Sequence, residues 1–202
     1  MSVTITRPTA PILPPMEPLL LQPADLPGFR LLFGDAERSS NEAVAATASN
    51  PQARLRCLQG WGRIDGYAVR FVPEQPQAPP SMPIVIDSSA SRFARGAGAL
   101  QALTDEASFP EGPACSRLFP RNVADNTESV HEVFEENGVQ FALYRVDFRV
   151  GNIVGSVGAV WRRAHGGPLQ VLKLAERQAM RIRTALQAAG RGAPLSLKRE
   201  ER

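Results

Sequence analysis

The chain has 202 residues, 43% of them apolar, and 23 basic side chains against 20 acidic ones give a net charge of +3. That is one domain with tails and enough apolar material for a core, which excludes a chain disordered throughout. Two cysteines and two histidines exclude a disulfide-dense scaffold and a multi-cysteine zinc site, and no apolar run approaches the roughly 18 residues of a membrane span.

Residues 1–27 carry Pro8, Pro11, Pro14, Pro15, Pro18, Pro23 and Pro27. Proline fixes φ and removes a donor, so this stretch reads as an extended arm lying outside the core. It lacks a basic start and a continuous apolar run, so it does not read as a signal peptide. Leu19, Leu20 and Leu21 are its one apolar cluster.

Leu26-Pro27-Gly28 predicts a turn and residues 29–33 a short strand. Ser39 and Ser40 cap a helix over 41–49. Asn50-Pro51 starts another, an N-cap residue followed by proline at the first helical position, which stops near Gly60. Residues 61–72 predict a strand interrupted at Gly62 and Gly66, and residues 75–83 a proline-rich loop. A short strand over 84–86 is followed by Asp87-Ser88-Ser89, which reads as the cap of a helix carrying Phe93, Leu100 and Leu103.

Residues 130–134 predict a strand, Asn137-Gly138 a hairpin turn, and residues 139–150 a long strand with Ala142, Tyr144, Val146, Phe148 and Val150 on one face. Gly151-Asn152 turns the chain into a third strand over 153–161. Pro168 opens the last helix, with Leu172, Ala175, Ala179, Ile182 and Leu186 on one face and Lys173, Arg177 and Arg181 near the other.

The charge is uneven. From Val160 to the C-terminus there are ten basic residues and three acidic ones, whereas residues 105–136 hold eight acids against Arg117 and Arg121. A basic helix of this kind suits an anionic surface, and it suits equally a solvated outer face. No phosphate-loop or dinucleotide glycine motif is present, and no nucleic-acid recognition motif. His131 lies in a strand near Glu132, Glu135 and Glu136 without an identified partner, and His165 lies in a turn. Cys57 reads as a small buried apolar residue of a helix, while its pairing with Cys115 is left open by spacing alone. Gly96 and Gly98 read as positions of close helix packing.

The hairpin Phe148-Arg149-Val150-Gly151-Asn152-Ile153-Val154, followed by a helix carrying Ala175 and Gln178, resembles bacterial, mostly extracytoplasmic domains of the Mog1p/PsbP-like fold. The likeness covers about residues 24–190. It implies an α+β domain, an antiparallel sheet flanked by helices on both faces as an α/β/α sandwich. The domain it implies spans 24–190, leaving the proline-rich arm over 1–23 and a basic flexible tail over 191–202 outside it. It also implies a non-catalytic accessory or protein-binding role outside the cytoplasm, on a larger and membrane-associated complex, although the chain carries no export signal.

The expectation is therefore a binding protein with no cofactor, no metal, no specific nucleic acid and no transmembrane segment. Its partner-binding candidates are Pro11, Pro14, Pro15, Leu19 and Leu20 on the arm, and Lys173, Arg177 and Arg181 on the last helix. The alternatives are a small-molecule-binding domain, or a hydrolase or isomerase using His131 and the nearby carboxylates.

Overall fold

The computed structural model describes residues 15–32, 37–75, 77, 79–105, 115–117, 122–162 and 167–191. The fold is α+β. Eight antiparallel strands form one sheet: β1 (Phe29–Leu31), β2 (Glu37–Ser39), β3 (Arg63–Pro73), β4 (Val85–Phe93), β5 (Cys115–Arg117), β6 (Asn126–Glu136), β7 (Val139–Val150) and β8 (Ile153–Arg162). Their order is β1-β3-β4-β8-β7-β6-β5, with β2 also pairing with β3. Among the described residues, four α-helices join them: α1 (Asn41–Ala46), α2 (Pro51–Gly60), α3 (Gly96–Thr104) and α4 (Pro168–Arg191).

The meander β6–β7–β8 follows from its turns. Asn137 and Gly138 take φ of 52° and 74°, which brings Glu136 opposite Val139, and Gly151 takes φ of 60° between Val150 and Ile153. Paired residues of antiparallel strands share a face, so the alternation of β7 propagates across the sheet. Phe148, Val157, Ile86 and Phe71, all fully buried, lie on one face under α4, together with Trp161 and Ile153. Helix α4 reaches them with Val171, Ala175, Ala179 and Ile182. Its small residues let the helix settle close to the sheet. The Phe148 ring fills the space that a side chain on the facing Gly155 would need.

Helix α3 lies on the other side. It packs against β4, β6, β7 and β8, and its buried Ala99 and Leu103 are not part of the cluster under α4. Helices α1 and α2 pack on each other and on β3. Their caps are the expected ones: Ser40 Oγ accepts from the Ala43 N–H, and Asn50 Oδ1 from the Ala53 N–H.

Three expectations are corrected. Asp87-Ser88-Ser89 caps no helix. Residues 85–93 run as one strand, because Ile86, Ser88 and Ala90 alternate into the core and Ser88 finds its partners there. The boundary at residue 23 is also too late. Met16, Leu19, Leu20, Leu21 and Leu26 belong to the main apolar cluster, and two single 3-10 turns, Glu17–Leu19 and Pro23–Asp25, carry them across α4. Cys57 is an exposed free thiol rather than a buried apolar residue. The side chain of Cys115 and the tail from residue 192 lie outside the described residues.

The close packing expected of Gly98 is observed. A Cβ there would run into the backbone carbonyl of Trp61, and backbone cannot swing aside. Gly98→Ala gains about 1 kcal/mol of helix propensity but forces α3 outward, so we expect a net loss of about 1–3 kcal/mol. Gly60, with nothing within 4 Å of the same position, is the control: Gly60→Ala should be neutral or stabilising. Urea unfolding of the two variants checks the contrast.

Candidate functional site

The residues expected to face a partner are mostly committed to the fold. Pro11 and Pro14 lie outside the described residues, and Pro15 is exposed. Leu19 and Leu20 are 2% and 0% exposed, so they offer no free binding surface. Prolines disguise this segment as a tether, yet the apolar residues between them close the gap between α4 and the sheet. The next residue, Leu21, donates its N–H to Ser88 Oγ at 3.1 Å. Ser88 donates in turn to Gln178 Oε1 at 2.9 Å, and Gln178 Nε2 donates to the Ser89 carbonyl.

The basic stripe of α4 is divided. Arg181 donates to both carboxylate oxygens of Asp25 and to the Leu20 carbonyl, and Arg177 to the Asp25 backbone carbonyl and Oδ1. These two arginines therefore clasp the N-terminal segment, while Lys173 remains exposed. Burial opposes ionisation of Asp25. The bonds from Arg181 and the Gln22 N–H, and the charges of Arg181 and Arg177, outweigh it and hold the carboxyl below its ordinary value.

A depressed carboxyl stabilises the fold above its unfolded pKa of about 3.9 and loses that contribution as pH falls through the folded value. Asp25→Asn should therefore be less stable than the parent at neutral pH. The difference should shrink as pH falls from the unfolded value through the lowered folded one. Urea midpoints of both proteins across this range check it.

His131 does not assemble a catalytic set with the neighbouring carboxylates. Its ring stacks on Tyr144, centroids 4.5 Å apart, and Tyr144 meets Trp161 edge-on. Glu132 points to the opposite face by strand alternation, and Glu135 lies about 13 Å along the strand. His131 Nε2 is buried without a hydrogen-bond partner, and no group of three or more metal-ligating side chains occurs among the described residues. His165 lies outside the described residues.

A second charged group fastens α1 and β2 to the sheet. Arg63, 6% exposed, donates to the Ser39 carbonyl and Oγ, to Asn41 Oδ1 and to Ser91 Oγ. Burial pulls its guanidinium below the ordinary arginine value, with Asp65 opposing that shift and Arg54 adding to it. Asp65, 5% exposed, accepts two bonds from Arg92, at 3.0 and 2.7 Å, and one from Arg38. The resemblance motif is structural in the same way. Arg149 donates to Asn126 Oδ1 and the Gly151 carbonyl, and Asn152 to the Phe93 carbonyl.

Sequence reading missed a cleft of about 320 Å³ at the loop end of the sheet. Val72, Pro73 and Ile84 line it from the strand ends, and Pro79, Pro80 and Met82 from the proline-rich loop. Three contacts hold that loop: Trp161 Nε1 donates to the Ser81 carbonyl, Ile84 N–H to the Val160 carbonyl and Met82 N–H to the Pro79 carbonyl.

Arg30, Glu74 and Arg162 stand at this cleft. Arg30 pairs across the strands with Val72, and Arg162 follows the buried Trp161, so both leave the sheet on the side away from the core. All three are exposed, and none of their side chains makes a hydrogen bond or ion pair among the described residues. They differ in this from Asp25, Arg63, Asp65 and Arg181.

No protein-family model matches the chain, and no curated protein sequence does. Among the solved structures, the chain is similar to the extracellular domain of PknH from Mycobacterium tuberculosis, with 10% identity and a TM-score of 0.41 over 82% of this chain and 94% of that one. No helix among the described residues is long and apolar enough to cross a membrane.

Proposed function

We propose that the chain is a non-catalytic binding or accessory protein whose ligand or partner enters the cleft at the loop end of the sheet. One observation carries this reading. Arg30, Glu74 and Arg162 line a cleft beside Val72, Met82 and Ile84 and make no side-chain hydrogen bond or ion pair among the described residues, while the arginines and aspartates deeper in the fold are occupied in holding it together. A few charged groups beside apolar side chains in a concavity are the usual composition of a binding site. The Mog1p/PsbP-like likeness supports an accessory role on a larger complex outside the cytoplasm, and that assignment is part of the same proposal.

The test is a solution titration of isotope-labelled protein with a library of small probe molecules, followed by amide chemical shifts. The expected result is that perturbed amides cluster at Arg30, at residues 72–75, at Met82 and at Ile84 and Arg162. Clustering at the exposed Lys173 side of α4, or around His131, would overturn it.

A further inference from the structure

The composition of the cleft selects a ligand class. Two of its three charged groups are guanidinium groups, and neither has a side-chain partner among the described residues. A guanidinium presents a planar fork of donors that matches a carboxylate, and it is less strongly hydrated than an ammonium, so it gives up water to an anion at lower cost. The third charged group is Glu74, whose carboxylate repels a second negative charge. Val72, Met82, Ile84, Pro79 and Pro80 also line the cleft, with Gln75 as its one uncharged polar side chain, and these apolar groups favour an apolar body.

We propose, resting on the cleft reading above, that this site takes a monovalent carboxylate carried on a short apolar body, such as a medium-chain acid. Arg30 and Arg162 receive the carboxylate, and the loop prolines, Val72, Met82 and Ile84 receive the chain. Glu74 sets the preference for one negative charge over two. Its repulsion acts at short range, so a dicarboxylate of the same length pays it while a monocarboxylate does not. Neither half of the site is sufficient alone. A bare anion gains little from exposed arginines in water, and a bare alkyl chain gains little from so small a floor.

The experiment is calorimetric titration of the full chain with sodium octanoate, octane-1,8-dioate, sodium acetate, octanol and octylamine, with amide shifts recorded in parallel. Octanoate should bind at the cleft residues, about tenfold or more tighter than acetate, octanol or the dioate. Arg30→Gln with Arg162→Gln should weaken octanoate by about tenfold or more, and Glu74→Gln should narrow the gap between octanoate and the dioate. All three residues are exposed, so an unchanged Tm confirms that the variants fold.

Octanoate binding no better than octanol, or unaffected by loss of both arginines, would overturn the anion assignment. If octylamine or octanol then perturbs the cleft amides, the cleft remains the binding site and only its ligand class is wrong. If none of the five probes perturbs those amides, this inference and the cleft reading beneath it both fail.

Discussion

Leu20→Ala should cost about 2–5 kcal/mol, although Leu20 lies between prolines in a stretch whose composition suggests a tether. The side chain is fully buried in the cluster formed by α4 and the sheet. Its removal leaves a void bordered by elements that the rest of the fold holds in place, so little of the lost contact can be recovered by collapse. A domain of this size has about 5–15 kcal/mol of stability in all. Deleting residues 1–22, which removes Met16, Leu19, Leu20 and Leu21 together, should therefore abolish cooperative unfolding. Pro15→Ala, at an exposed position, should stay within about 0.5 kcal/mol of the parent. Urea unfolding followed by tryptophan fluorescence reads all three, since Trp161 is in the same cluster. A Leu20→Ala loss below about 1 kcal/mol would show that the segment does not pack as described.

Asp65→Asn should be at least as damaging, at about 3–5 kcal/mol. The substitution preserves size and removes only charge. It leaves the Arg92 side chain, 11% exposed, without its carboxylate, and it deprives Arg63 of the nearby charge that offsets burial. The cost comes from a nearly buried cation losing this compensating charge more than from the lost attraction, and this yields a second expectation. Asp65→Asn combined with Arg92→Met should recover part of the loss, because the desolvated charge is gone as well. Additive losses in the double variant would contradict that reading. Arg38, 77% exposed at its side chain, contributes little, and Arg38→Ala should lie within about 1 kcal/mol of the parent.

The parts of the fold that were legible are those whose determinants are local. The three-stranded meander follows from alternation along 139–150 and from two tight turns, and all of that information lies within a few residues. Helix α2 starts at Pro51 because Asn50 and Pro51 are adjacent. Helix α4 shows its buried face through its own periodicity. What was misread depends on partners far along the chain. Asp87-Ser88-Ser89 has the chemistry of a helix cap, and only Gln178, 90 residues from Ser88, gives the Ser88 hydroxyl a reason to lie in a strand. Arg177 and Arg181 look like a solvated stripe until Asp25, more than 150 residues away, is folded against them.

The candidate site was less legible than the fold. Its floor and rim come from residue 30, residues 72–84 and residue 162, three stretches with no shared pattern. Each arginine looks like an ordinary surface residue in its own strand. The one local signal is the density of prolines over 76–83, which marks a loop stiff enough to wall a cleft but says nothing about what enters it.

The N-terminal segment from Met16 onward is part of the core, and the proposed binding role therefore falls to the cleft. Native-state hydrogen exchange at the Leu21 amide tests it most directly, because this N–H is bonded to the buried Ser88 hydroxyl. Leu21 should exchange with a free energy close to that of global unfolding, in step with the amides of β7 and β8. Exchange at the rate of an unprotected peptide, while β7 and β8 remain protected, would contradict it.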